Sequence, residues 1–224
     1  MGEIRRVGVL GCGLMGSGIA QVCATAGYET RVREVTVELA ERGVDAISRQ
    51  LARAVEKEKI TPADRDLVMS RISATTDLTD LAACDLVIEA VVEDLEVKNE
   101  LWRELEEVCR DEVIFASNTS SLTIAEMAAA TKRPDRLIGL HFFNPVPVMQ
   151  LVEVVRTIAT DPQVFVTAME FARSLGKEPI ECRDRSGFVV NLLLVPFMMD
   201  AIRALEQGVA SIEDIDRGMR LGTG

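Results

Sequence analysis

One histidine serves the whole 224-residue chain, and it stands in "HFFNPVPVMQLVEVV", where His141 precedes Glu153 by twelve positions. A free imidazole titrates near pH ~6.5, so it can both take and give a proton around neutrality. A carboxylate inside the apolar run "LVEVV" is costly unless a charged or hydrogen-bonding group meets it, and His141 is the imidazole at hand. An acid on one ring nitrogen fixes the tautomer, makes the other nitrogen more basic and stabilises the imidazolium formed in proton transfer. That pair is what an alcohol dehydrogenase without a metal requires. The alternatives are a structural histidine shielded by Phe142 and Phe143 and a Glu153 that faces outward from an edge strand.

More polar residues stand where apolar strands end. Ser117, Asn118, Thr119, Ser120 and Ser121 follow "VIFA", either as hydroxyl-rich caps for a helix beginning near Thr123 or as groups facing a ligand. Asn191 lies in "GFVVNLLL", where it reads as a polar residue satisfied within an apolar helix.

A dehydrogenase also needs a hydride acceptor, and the N-terminus offers a cradle for one. An apolar strand over 7–10 runs into Gly11, Gly13 and Gly16 in G-x-G-x-x-G spacing, followed by a helix of small residues to about Ala26. The first glycine permits the tight turn, the second lets a pyrophosphate approach the backbone, and the third allows close helix–strand packing. Free N–H groups at the helix start face the anion. Leu14 and Met15, between the glycines, count with the cofactor-binding residues. A second strand, "ETRVRE", ends in Glu34, where a carboxylate can accept hydrogen bonds from both ribose hydroxyls. Glu34 favours NAD, whereas the adjacent Arg33 leaves room for the 2′-phosphate of NADP. Cys12 reads as a small apolar filler. Arg5 and Arg6 before an uncharged run resemble a signal peptide, but six glycines in that run would make a poor inserting helix.

These residues need a frame, and the chain supplies an alternating one. A helical pattern over 37–59 leads to Thr61-Pro62, a cap and first-turn proline for another helix. Strand-like segments at 85–93, 113–120, 136–143 and 151–155, a helix around 96–109, another at about 162–175 and a strand at 178–182 follow. This predicts an α/β fold: a Rossmann-like, mostly parallel sheet with helices on both faces. We expect that domain to span 1–184. Residues 185–224 read as the start of an all-helical C-terminal domain: an apolar helix containing Pro196, then "SIEDIDRGM", capped at Ser211. The uncharged stretch 186–199 is too short for a bilayer, which needs ~20 residues.

Composition narrows the partners. With 25 basic against 36 acidic residues the net charge is −11, which argues against nucleic acid. Five cysteines without CxxC pairs or a nearby histidine suggest neither a metal site nor a disulfide framework, and a reducing cytoplasm is the expected setting.

Taken in order, the Gly-rich turn with "GSGIAQ", "DLVIEAVVEDLEVK", "ASNTSSL", "HFFNPVPVMQLVEVV" and "GFVVN" resemble the L-3-hydroxyacyl-CoA dehydrogenase family, in particular its short 3-hydroxybutyryl-CoA members. The likeness covers about 7–221. It implies NAD-dependent interconversion of an L-3-hydroxyacyl-CoA and a 3-ketoacyl-CoA, in fatty-acid β-oxidation or butyrate-type metabolism. It also implies His141 as base, Glu153 as its partner, Ser120 on the substrate oxygen, Asn191 holding substrate, and Glu93, Lys98 and Asn144 at the nicotinamide half of the cofactor. For coenzyme A it suggests Arg53, Lys57 and Lys59, although Glu56 and Glu58 beside them also fit a solvated helix face. Two positions depart from the family pattern: Ser186, where relatives have proline, and Leu192, where they have arginine. Relatives continue past "LGTG" with helices that complete the second domain and form a homodimer. A shortened chain is therefore expected, with an exposed apolar face on its 187–207 helix. Two other readings stay open: an NAD-binding module with little catalysis, and a dehydrogenase of a free hydroxy acid.

Overall fold

The structure, a computed structural model, describes residues 3–223; Met1, Gly2 and Gly224, the outermost positions of the two expected domains, lie outside the described residues. The elements run β1 (Arg6–Leu10), α1 (Leu14–Thr25), β2 (Glu29–Arg33), α2 (Val37–Glu56), α3 (Pro62–Ser70), β3 (Ile72–Thr75), β4 (Leu86–Glu89), α4 (Leu95–Val108), β5 (Ile114–Ser117), α5 (Ile124–Ala129), β6 (Leu137–Phe142), β7 (Leu151–Arg156), α6 (Pro162–Ser174), β8 (Glu178–Arg183), α7 (Val190–Glu206) and α8 (Ile212–Thr223).

The strands form one sheet in the order β3-β2-β1-β4-β5-β6-β7-β8. All neighbours are parallel except β6 and β7. The expected doubly wound α/β sheet is thus present, and its strand order reverses between β1 and β4, where such sheets open a crevice beyond the strand C-termini.

Burial on both faces explains why the central strands read as unbroken apolar runs. Val7, Val9, Ile88, Ile114 and Ala116 pack on one side with Ile19, Ile47, Val164 and Phe171 from helices. Leu10, Val87 and Phe115 point the other way, onto Leu101, Trp102, Leu105 and Ile124. Successive residues of a strand serve opposite cores because the pleat has period two.

Four sequence expectations need correction. The edge strand β3 escaped notice because "ISAT" is short and half exposed, without the apolar run that marks its neighbours. The segments expected as strands at 85–93 and 113–120 pair over only four residues each, Leu86–Glu89 and Ile114–Ser117, and their polar tails become loops. The α2 helix stops at Glu56 rather than 59, because Glu58 takes φ 55° and Lys59 N turns back to bond Ala54 O. The hydroxyls of 117–121 do not cap α5; the first amides of that helix, Ile124 N and Ala125 N, donate instead to Asp184, sixty residues away. Thr61 and Ser211 do cap α3 and α8 as expected.

The α7 helix contains Pro196 and has no buried residue; Leu193 and Phe197 are 67% and 48% exposed, the bare apolar face anticipated from the sequence. Among the described residues, no helix is long and apolar enough to cross a membrane.

Candidate active site

The 141 and 153 positions face each other directly in the antiparallel β6–β7 register. A short strand pair therefore turns a twelve-residue separation into contact: His141 Nδ1 and Glu153 Oε2 are 2.7 Å apart, with His141 6% and Glu153 0% exposed. The outward-facing alternative for Glu153 is excluded, since β8 covers β7 and leaves it no edge.

Glu153 has a second set of partners. Its Oε1 accepts Val189 N and Val190 N, each at 2.9 Å, at the start of α7. Burial opposes ionisation of this carboxyl, but the His141 hydrogen bond and the two helix amides outweigh it and hold its pKa below the usual range. An ionised carboxylate only accepts hydrogen bonds. His141 Nδ1 must therefore be the donor, which leaves the Nε2 lone pair free. The Phe143 and Phe188 rings lie 4.5 and 5.5 Å from the imidazole and limit water around it.

The cleft beside His141 is lined by Met15, Ala90, Val91, Glu93, Lys98, Asn118, Ser120, Phe142, Phe143, Asn144 and Asn191. Eight expected site residues thus converge: His141, backed by Glu153, with Ser120, Asn191, Glu93, Lys98, Asn144 and Met15. A neighbouring depression is lined by Gly11, Gly13, Arg33, Glu34 and Val92. Arg53, Lys57 and Lys59 are not brought to either; Arg53 is exposed in the last turn of α2, and Lys57 and Lys59 in the turn that follows it.

The glycine turn fits a dinucleotide. Gly11 has φ +83°, and a Cβ on Gly16 would lie 1.8 Å from Gly11 O. A Cβ on Gly13 would meet nothing, so space stands open over that backbone. No side chain caps the N-terminus of α1 and no acid lies in its first turn, leaving its amides for an anion. Glu34 Oε1 accepts Cys12 N at 2.5 Å, which sets the carboxylate against the turn. Cys12 is the filler expected, packed on Gly43, and burial together with the Glu34 charge pushes its thiol up to about 12. Because the Gly16 clash is with backbone, Gly16→Ala is expected to weaken NAD binding at least ~10-fold and to lower the melting temperature; titration and thermal denaturation check it.

Sequence reasoning missed two supports. Glu89, at the end of β4, is 0% exposed and binds Lys98 Nζ (2.6 Å), Ser117 Oγ (2.6 Å) and Val91 N (2.8 Å). A lone acid in "LVIEAV" was the available signal. Lys177, just before β8, donates to Val146 O (2.6 Å) and Met149 O (2.8 Å), pinning the loop that carries Asn144. Lys177→Met removes both charge-assisted bonds and should cost on the order of 2–4 kcal/mol in denaturant unfolding.

A doubly wound sheet with a glycine turn for pyrophosphate and a histidine–carboxylate pair across the crevice defines the class: an NAD-dependent oxidoreductase. Residues 6–185 match the family model for the 3-hydroxyacyl-CoA dehydrogenase NAD-binding domain and 187–224 that for the C-terminal domain. The chain belongs to the 3-hydroxyacyl-CoA dehydrogenase family. It is 52% identical over 221 residues to a 3-hydroxybutyryl-CoA dehydrogenase of Mycobacterium tuberculosis, covering 98% of this chain and 77% of that one. It is 45% identical over 227 residues to human mitochondrial hydroxyacyl-coenzyme A dehydrogenase, covering 99% and 72%. The crystal structure of (S)-3-hydroxybutyryl-CoA dehydrogenase from Ralstonia eutropha superposes with a TM-score of 0.96 at 42% identity, covering 98% and 78%.

Proposed function

We propose that the protein oxidises L-3-hydroxybutyryl-CoA to acetoacetyl-CoA with NAD+, and runs the reverse reduction, with His141 as the proton-transfer group. The observation that carries this reading is the 2.7 Å His141–Glu153 contact at the base of a cleft shared by Ser120 and Asn191. When bound, NAD+ supplies the hydride acceptor. His141 Nε2 removes the proton of the C3 hydroxyl as the C3 hydrogen departs as hydride, and in reduction the ring returns that proton. Glu153 holds the ring through Nδ1 and stabilises the imidazolium. Ser120 and Asn191 donate to the substrate oxygen as it develops carbonyl character. Glu93, Lys98, Asn144 and Met15 would orient the nicotinamide half of a bound NAD, while Gly11, Gly13, Leu14 and Gly16 would hold its pyrophosphate.

At the end of β2 the Glu34 carboxylate, next to Arg33, favours ribose hydroxyls over a 2′-phosphate, so NAD is the preferred cofactor. The helical segment after 185 contributes Asn191 to a site otherwise built on the sheet, which fits a domain division at 184/185. Spectrophotometry of NADH formation tests the reading. Turnover of L-3-hydroxybutyryl-CoA with NAD+, well above that of free 3-hydroxybutyrate or of NADP+, is expected; turnover of the free acid alone would refute the thioester assignment.

A further inference from the structure

The buried Glu89 has no place in the acid–base chemistry, yet it is among the best-partnered carboxylates in the molecule. Three donors meet its two oxygens: Lys98 Nζ and Val91 N on Oε1, Ser117 Oγ on Oε2. Lys98 Nζ and Val91 N can only donate, and Ser117 Oγ offers its hydrogen to the second oxygen, so all three contacts suit a carboxylate. Lys98 is itself 1% exposed and lies 3.2 Å from a second carboxylate oxygen, Glu93 Oε2. Two carboxylates thus share one ammonium, and the triad carries one net negative charge.

That charge stands at the wall of the cleft, which Glu93 and Lys98 both line. The other oxygen of Glu93, Oε1, accepts Thr119 Oγ1 (2.5 Å), Ser120 N (3.0 Å) and Ser121 Oγ (3.0 Å), so the same carboxylate also fixes the Ser120 loop. Burial opposes ionisation of Glu93, but Thr119, the Lys98 charge and Ser120 N hold its pKa at about 2, which keeps it charged at every working pH. Without Glu89, Lys98 and Glu93 would cancel and the wall would be neutral. A buried acid behind the pair restores the negative sign without adding a second carboxylate to the cleft surface.

We propose that Glu89 is a positioning and specificity residue: by engaging Lys98 it leaves the cleft wall net negative, which raises the affinity for the cationic oxidised nicotinamide relative to the neutral reduced one above what a neutral wall would give. The proposal rests on the reading that nicotinamide occupies the His141 cleft. The oxidised ring carries one positive charge that the reduced ring lacks. One unit of negative charge on the wall of a partly solvated site is worth about three- to tenfold in affinity between them. A merely structural role for Glu89 would weaken both redox states alike.

The test is a calorimetric comparison of NAD+, NADH and ADP-ribose on the wild-type protein and the Glu89→Gln, Glu93→Gln and Ser117→Ala variants. Glutamine keeps the shape of Glu89 and a carbonyl oxygen for Lys98 and Val91, but removes the charge and turns an NH2 toward Ser117. Glu89→Gln should shift the NAD+-to-NADH affinity ratio about three- to tenfold toward NADH, with Ser117→Ala reporting the loss of that one hydrogen bond. Should that variant fail to fold, the more exposed Glu93→Gln removes the same charge and should shift the ratio in the same direction. Ser117→Ala removes a Glu89 hydrogen bond but no charge and should leave the ratio within about twofold. An unchanged ratio in both glutamine variants, or an equal shift in Ser117→Ala, would overturn the proposal. Equal wild-type affinities for NAD+, NADH and ADP-ribose would instead remove nicotinamide from the cleft and withdraw the reading beneath it.

Discussion

Replacing His141 with alanine should lower turnover of L-3-hydroxybutyryl-CoA by about 10²–10⁴, the contribution a positioned acid–base group makes, while NAD+ binding stays near wild type. The separation follows from geometry. The glycine turn and Glu34 line a depression formed by β1, β2 and the loop after β4, whereas His141 belongs to β6 and the second cleft. No other imidazole exists in the chain to substitute. Steady-state kinetics beside an NAD+ titration checks both halves; equal loss of binding and turnover would mean that the substitution disturbs the fold rather than the chemistry.

Glu153→Gln should cost a similar factor, about 10²–10⁴ in turnover, with little loss of stability. The carboxylate divides its work between two oxygens: Oε2 meets His141 Nδ1 and Oε1 caps the start of α7 through Val189 N and Val190 N. A glutamine keeps the carbonyl oxygen on the helix and turns its NH2 toward the ring. Nδ1 must then accept, the ring proton moves to Nε2, and the base loses its free lone pair. Glu153→Ala abolishes the cap as well and should lose a further ~1–3 kcal/mol for each unsatisfied amide left buried. Thermal denaturation and kinetics on the two variants separate the chemical role from the structural one. Full activity in Glu153→Gln would mean that the ring needs no anionic partner.

Much of this site was legible because its chemistry sits in unusual contexts. A carboxylate in "LVEVV" and the chain's sole histidine draw attention by composition, and the strands around them are apolar enough to place both at the sheet's crevice. Three glycines and a following strand ending in acid made the phosphate turn equally visible. What escaped depends on distance in the chain. Glu89 repeats the signal of Glu153, but its ammonium partner lies nine residues on, across a strand end, a turn and a helix start. The capping of α7 by Glu153 spans 36 residues, and that of α5 by Asp184 spans 60. Lys177 in "LGKEP" carries no local signal, because only the folded loop 144–150 brings two carbonyls to it. The β3 strand failed for the opposite reason: as a half-exposed edge of four residues it has too little apolar content to stand out.

The proton shuttle is tested most directly by rapid mixing of the His141→Ala enzyme, saturated with NAD+, with L-3-hydroxybutyryl-CoA, following the first turnover of NADH with and without added imidazole. A slow first turnover that free imidazole partly restores is the predicted result. A first turnover as fast as wild type without imidazole would contradict the assignment of His141 as the group that moves the proton.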